Sequence, residues 1–318
     1  MSKLTIAMYH YTRDLTHSRY PEIKGLDLPL FREQIAFFKK EFHPVRMEEV
    51  LAAVKGEQAL PERALLLTFD DGYVDNYTYA LPILEEAGMQ GSFFIPGKTF
   101  TEHKLLDVNK IHYILASAEP DALLADVYER MDHYRGAEYD YPSNEELFAE
   151  YGVANRFDPA ETIFIKRALQ TVLPEAVRSR IASDLFERYV GVPEEVLAYE
   201  LYMTEDQIRT MKRHGMFIGI HGYDHYWLGR LSPEELTRDL NRALEVMDPF
   251  IDRSAWVMNY PYGNSSPEVL AQCRAHGAVL GLTTEVRMAD LEADDLMLLP
   301  RLDCNDFPPK STRYEEIR

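Results

Sequence analysis

The chain has 318 residues, 46% of them apolar, enough to bury a sizeable core in either one large α/β domain or two ordinary ones. Its 34 basic and 53 acidic side chains leave a formal charge of -19. That charge repels phosphate backbones and anionic lipid headgroups, so nucleic acid and membrane surfaces are excluded as first guesses for a partner.

The N-terminal stretch Met1-Ser2-Lys3-Leu4-Thr5-Ile6-Ala7-Met8 runs into a polar Tyr9-His10-Tyr11 without the apolar segment of a secretory signal. Cys273 and Cys304 cannot make a disulfide framework, and no stretch approaches the roughly 18 apolar residues of a membrane span. A cytoplasmic location without membrane insertion is the expectation.

Leu4 to Met8 opens a series of short apolar runs that continues at Ala64 to Phe69, Ser92 to Ile95, Met216 to Ile220, Ala255 to Asn259, Ala278 to Leu282 and Met297 to Leu302. Helical spacing lies between them: Phe31, Ile35, Phe38 and Phe42, then Ile83, Leu84 and Ala87 closing at Gly88. Ser232-Pro233-Glu234-Glu235 is a capping box with proline at the first helical position, and Ser266-Pro267 opens a further helix. Strands alternating with helices imply a parallel sheet, and seven such units an incomplete barrel.

Leu105 to Met203 breaks the alternation, with helices expected at Ala122 to His133, Ala160 to Leu173 and Glu175 to Tyr189. Residues 1–104 and 204–318 are therefore read as the barrel. Residues 105–203 form a helical insertion after the third strand, serving either as a lid or as a stabilising or dimerising subdomain.

Three strand ends carry chemistry. The run Leu65-Leu66-Leu67-Thr68-Phe69 stops at Asp70-Asp71-Gly72, and in parallel α/β folds the C-terminal ends of strands are where ligands bind. Adjacent carboxylates repel unless a cation sits between them or one is protonated; the alternative is a solvated Asp-Asp-Gly turn. Ile218-Gly219-Ile220 leads into His221-Gly222-Tyr223-Asp224-His225, whose imidazoles can converge on one cation. Two histidines and a carboxylate, with a position left open, make the ligand set of a catalytic metal site. Val257-Met258-Asn259 ends in Tyr260-Pro261-Tyr262-Gly263, a rigid turn that can aim a backbone N–H while its rings offer a sugar a stacking face.

In this order the three strand ends resemble the polysaccharide deacetylase family, the NodB-like carbohydrate esterases. Thr68-Phe69-Asp70-Asp71-Gly72 matches the family's first motif and His221 to His225 the histidine pair of the second. Tyr260 to Gly263 is similar to the third, with Asn259 in the region where many members have an arginine. The resemblance covers roughly residues 1–104 and 204–303 and implies an irregular (β/α)7 barrel. It implies that Asp71, His221 and His225 hold a divalent metal, usually zinc, that Asp70 is the general base, and that the Tyr262 backbone N–H stabilises the oxyanion. The family's final motif supplies a histidine as general acid, but Leu298 to Asp306 contains none. His10, at the end of the first strand, is the substitute candidate; alternatively Asp70 serves as base and then as acid. Tyr260, Arg301 and Asp303 are candidate substrate contacts, with Arg301 and Asp303 also readable as a pair beside the last strand.

The reaction expected is metal-assisted hydrolysis of an N-acetyl group on an amino sugar or glycan precursor. A divalent ion would polarise the poor amide electrophile and activate water. The rival readings are a same-fold amidase or deformylase acting on a non-sugar C–N bond, and a glycan-binding protein that has lost its acid.

Overall fold

The computed structural model describes residues 3–136, 139–155 and 157–317; Met1 and Ser2 of the N-terminal stretch lie outside them. The chain divides into two compact units, one of Met1–Asp14, Gly25–His103 and Tyr199–Arg318, the other of Leu15–Lys24 and Lys104–Ala198.

The nine-stranded sheet of the first unit is built on seven parallel barrel strands, β1 (Lys3–Tyr9), β2 (Ala64–Phe69), β3 (Gly91–Ile95), β4 (Phe217–Ile220), β5 (Trp256–Asn259), β6 (Ala278–Leu282) and β7 (Leu302–Asp303), with the two-residue strands His43–Pro44 and Ala289–Asp290 added at β2 and β1. From β1 to β6, sequence neighbours are sheet neighbours. β7 runs parallel to β1, with Ala7 opposite Leu302 and Met8 opposite Asp303. Just upstream, Leu299 bridges Leu282 of β6 in parallel. Residues 299–303 therefore reach from the sixth strand to the first, and the sheet curls into an irregular (β/α)7 barrel. The seventh apolar run is a strand only at its end. Its earlier part is held to β6 by the Gly281 N–H on the Leu296 carbonyl (2.9 Å) and the Leu299 N–H on the Gly281 carbonyl (2.8 Å).

Every residue of β2, β3 and β5 is buried, as in parallel strands covered on both faces. Alternation along each strand sorts their side chains into two cores. Tyr9, Leu67, Phe69, Phe93, Ile95, Ile220 and Met258 cluster with residues of the flanking helices. These include Phe31, Ile35 and Phe38 of α1 (Leu28–Glu41), Leu84 of α2 (Leu81–Ala87) and Leu240 of α3 (Pro233–Met247). Leu4, Ile6, Leu66, Phe94, Val257, Leu280, Leu282 and Leu299 form the other cluster, inside the barrel, joined by Met47 and Val50 of the helix Met47–Val54.

The helices start and stop where local chemistry requires. α1 has proline in its first turn and Lys39 and Lys40 in its last, where cations oppose the exposed carbonyl dipoles. α2 ends at Gly88, whose φ of 71° costs a glycine nothing. α3 opens on the capping box read from the sequence: Ser232 accepts the Glu235 N–H at 3.3 Å, and the Glu235 carboxylate accepts the Ser232 N–H at 2.9 Å.

Register sets the mouth of the barrel. Tyr9 lies opposite Phe69 and Phe69 opposite Phe93, and their rings stack with centroids 4.9 and 4.7 Å apart. Each stacked pair contributes about 0.5–1.5 kcal/mol beyond its buried area. The residues that follow the first two rings are His10 and Asp70, so the aromatic ladder aligns the strand ends from which they project.

The second unit contains the helices Asp107–Ser117, Pro120–Tyr134, Asn144–Tyr151, Ala160–Arg167 and Glu175–Val190, around buried Ile111, Leu123, Val127, Phe164, Ile181 and Leu185. Leu15–Lys24, which has no apolar period to announce it, is tied in by its side chains. The Tyr20 hydroxyl donates to the Val190 carbonyl at 3.0 Å, and Lys24 pairs with buried Asp158, which also takes Lys166 at 2.7 Å. Among the described residues no helix is long and apolar enough to cross a membrane.

At Gly281 an added Cβ would overlap the Met297 carbonyl and lie 2.5 Å from the Tyr260 hydroxyl. Gly281→Ala must push the 297–299 stretch away from β6, and overpacking of this kind costs about 1–3 kcal/mol. Urea unfolding should show a lower midpoint; an unchanged one would mean that this closure is not tightly packed.

Candidate active site

Strand alternation carries a polar cluster up from the interior core. The inward positions Leu4 and Ile6 of β1 continue to His10, and Leu66 of β2 continues through Thr68 to Asp70. By the same two-residue step Val257 of β5 leads to Asn259, and Leu299 leads to Arg301. These groups meet. The Arg301 guanidinium donates through both terminal nitrogens to Asp70, Nη1 to Oδ1 and Nη2 to Oδ2, each at 2.8 Å. It also donates to Thr68 Oγ1 (3.1 Å) and to the Thr283 carbonyl (2.8 Å). Asn259 Nδ2 donates to Asp70 Oδ1 at 2.6 Å.

Asp70 and Arg301 are both almost fully buried. Burial alone would push the Asp70 carboxyl up, but the guanidinium more than offsets it and holds the group below the usual carboxylate range. A forked arginine matches a carboxylate where a lysine would not, which limits the cost of burying two charges. His10 Nε2 stands 3.7 Å from Asp70 Oδ2 with its side chain 39% exposed, so it faces both the carboxylate and solvent.

Asp71 turns the other way. Its φ of 72° is left-handed and brings Oδ1 to 3.4 Å from His221 Nε2 and 3.3 Å from His225 Nε2. The Tyr73 hydroxyl donates to Asp71 Oδ2 at 2.6 Å. His221 Nδ1 lies 2.6 Å from the Asn259 carbonyl. A carbonyl only accepts, so Nδ1 carries a proton, and Nε2 is the ring nitrogen turned towards Asp71. Burial pushes the His225 imidazole down, towards its neutral form. Asp71 Oδ1 has no hydrogen-bond partner although it is buried.

A bare carboxylate oxygen facing two imidazole nitrogens is a costly arrangement for a protein alone. It is the donor set a divalent cation takes, and the three residues offer ligand atoms within 4.8 Å of one another. The residues therefore fit the metal that the sequence resemblance implies.

The third motif forms a turn at Pro261–Gly263, in which Tyr262 has φ 59° and ψ 10°. The Tyr262 ring lies edge-on to His225 at 4.8 Å and stacks on Trp227 at 4.8 Å. Five non-glycine residues among those described have positive φ, and Asp71, His225 and Tyr262 are three of them. Backbone strain of about 1 kcal/mol or more each collects here.

Two expected substrate contacts, Tyr260 and Arg301, are corrected, as is the alternative pairing of Arg301 with Asp303. Tyr260 is fully buried in the cluster under the helices, because it follows inward-facing Asn259 and alternation turns it outward from the barrel. Arg301 and Asp303 do not pair. Arg301 is enclosed and spent on Asp70, while Asp303 caps the turn after β7 by accepting from the Asn305 backbone N–H (2.8 Å) and Nδ2 (2.7 Å). Asn259, Tyr73 and Trp227 were not singled out as site residues. Asn259 could have been found by extending the inward parity of β5, and Tyr73 by its place two residues after Asp71.

The polysaccharide deacetylase family model matches residues 57–133 and 181–281. YxkH of Bacillus subtilis (strain 168), whose name places it among polysaccharide deacetylases, is 19% identical over 285 residues, which are 89% of this chain and 65% of that protein. The poly-beta-1,6-N-acetyl-D-glucosamine N-deacetylase of Escherichia coli (strain K12) is 44% identical over 55 residues, 17% of this chain and 8% of that protein. The chain thus spans just under two thirds of the first relative's length and a small part of the second's. Among solved structures, the Streptococcus pyogenes deacetylase PplD in complex with acetate aligns at a TM-score of 0.58 and 18% identity, over 99% of this chain and 96% of that one. IcaB from Ammonifex degensii aligns at 0.55 and 17%, over 99% and 97%. At these identities the likeness is one of fold.

Removing the arginine tests the buried pair. Arg301→Met should destabilise the protein by about 3–5 kcal/mol at neutral pH, because it strands a buried carboxylate. Arg301→Met combined with Asp70→Asn should recover much of that loss. In the wild type the depressed Asp70 carboxyl contributes stability that is present above its ordinary value of about 3.9 and is lost as pH falls through its folded value. Urea unfolding across pH reads both effects; equal stability of the single and double variants would refute the pairing.

Proposed function

We propose that this chain, which belongs to the polysaccharide deacetylase family, is a metal-dependent hydrolase that removes the N-acetyl group from an amino sugar of a glycan or glycan precursor. The observation that carries the reading is the division of labour between two adjacent carboxylates. Asp70 is neutralised by Arg301 and kept ionised, while Asp71 leaves an unpartnered oxygen before two imidazoles.

Asp71, His221 and His225 would hold the cation, zinc or another first-row ion. When bound, the cation supplies Lewis acidity, polarising the acetamide carbonyl and lowering the pKa of water. Asp70 takes a proton from the attacking water as its oxygen bonds to the carbonyl carbon. Arg301 and Asn259 keep both carboxylate oxygens at fixed positions while this occurs. The Tyr262 backbone N–H is assigned to the oxyanion, held in its turn by the ring stacked on Trp227.

Collapse of the tetrahedral intermediate breaks the C–N bond, and the leaving nitrogen needs a proton. We assign that proton to His10, which lies 3.7 Å from Asp70 and is 39% exposed. The products are acetate and the free amino sugar, so atoms and charge balance with one water consumed.

Metal analysis of the untagged protein should find close to one divalent ion per chain, lost in Asp71→Ala and His221→Ala. Asp70→Asn should keep the metal and lose acetate release from N-acetyl sugars by about 100- to 10,000-fold. A wild type that stays empty with zinc, cobalt, nickel and manganese, or one that hydrolyses only non-sugar amides or formamides, would sink the proposal.

His10→Ala should lower kcat while leaving metal content unchanged. The loss should be smaller for substrates whose leaving amine is already a weak base, since these need less protonation. A uniform loss across such a series would remove His10 as the acid.

A further inference from the structure

Two histidines separated by Gly222-Tyr223-Asp224 converge on one point only while the backbone between them is held. The backbone groups of that loop are held by the start of one short helix and by a buried side chain of another. The Gly222 carbonyl accepts the Gly97 N–H at 3.1 Å and the Tyr223 carbonyl accepts the Lys98 N–H at 3.0 Å, both from the short helix Gly97–Thr101. The Tyr223 N–H donates to Asp239 Oδ2 at 3.0 Å and the Asp224 N–H to Asp239 Oδ1 at 2.9 Å. Asp239 projects from α3 and is buried. Gly222 has φ 70°, and a Cβ there would come within 3.2 Å of Asp239 Oδ2, so the loop rests directly on the carboxylate. The side chain of Tyr223 anchors the same loop, with the Arg242 guanidinium 3.9 Å from its ring centroid and its hydroxyl donating to Glu102 at 2.6 Å.

We infer that Asp239 is a positioning residue for the metal centre: its two oxygens, one on each loop N–H, set the backbone from which His221 and His225 meet Asp71. This rests on the reading of those three residues as ligands. A carboxylate suits the task because it offers two acceptors and no donor, whereas an asparagine would turn an NH2 towards one of the N–H groups. Asp239 touches neither substrate nor metal and acts through the loop.

The test is a titration of metal-free protein with cobalt(II) and with zinc, following cobalt absorption and heat, beside the melting temperature of the metal-free form. Asp239→Asn should weaken metal binding by about 10- to 100-fold and change the cobalt spectrum. Asp239→Glu, which keeps both acceptors, should recover part of the affinity. If Asp239→Asn lowers the melting temperature but binds metal with wild-type affinity and spectrum, its role is structural and the inference falls. Should Asp239→Asn not fold, Gly222→Ala perturbs the same contact from the loop side, and wild-type affinity in that variant overturns the inference equally. A wild type that binds no metal instead overturns the ligand assignment beneath it, a distinguishable result.

Discussion

The arrangement at the barrel mouth depends on the buried pair between Asp70 and Arg301. Two neighbouring carboxylates at one strand end cannot both stay ionised in a dry site unless each meets positive charge of its own. The fold gives Asp70 a guanidinium from the far end of the chain, bound through both oxygens, and gives Asp71 a backbone turn of positive φ that aims it away. Asp70 is then held ionised, as the proposed base must be, and Asp71 keeps an oxygen free for the proposed cation. Without Arg301 the same two residues would compete for one ion or one proton.

Asn259 links the halves of the site. Its side chain donates to Asp70, and its carbonyl fixes the tautomer of His221. Small movements of β5 would therefore reach the candidate base and a candidate ligand together, and the closely packed sheet below resists such movements. The stacked rings of Tyr9, Phe69 and Phe93 tie the first three strands at the level where the functional residues begin. Left-handed backbone at Asp71, His225 and Tyr262 is a local cost that this packing sustains.

The resemblance had drawn attention to Asn259 as standing where many relatives have arginine. The guanidinium is nevertheless present, delivered by Arg301 beside the last strand. Asp303 is the acidic neighbour of Arg301 in sequence, but its partner in the fold, Asp70, lies 231 residues away.

Local pattern was enough for six of the seven barrel strands and for helix ends such as Ser232 and Gly88, and it singled out Asp70-Asp71-Gly72 with His221 and His225 as the candidate site. These signals are legible because they depend on spacing and on the chemistry of neighbours. The partner of Arg301, the burial of Tyr260, the tie between Leu15–Lys24 and the helical unit, and the seat of the histidine loop on Asp239 were decided only in three dimensions. Each depends on which face of a strand or helix meets which other element, and a side chain's hydrogen-bond partner across the barrel leaves no trace in the residues beside it.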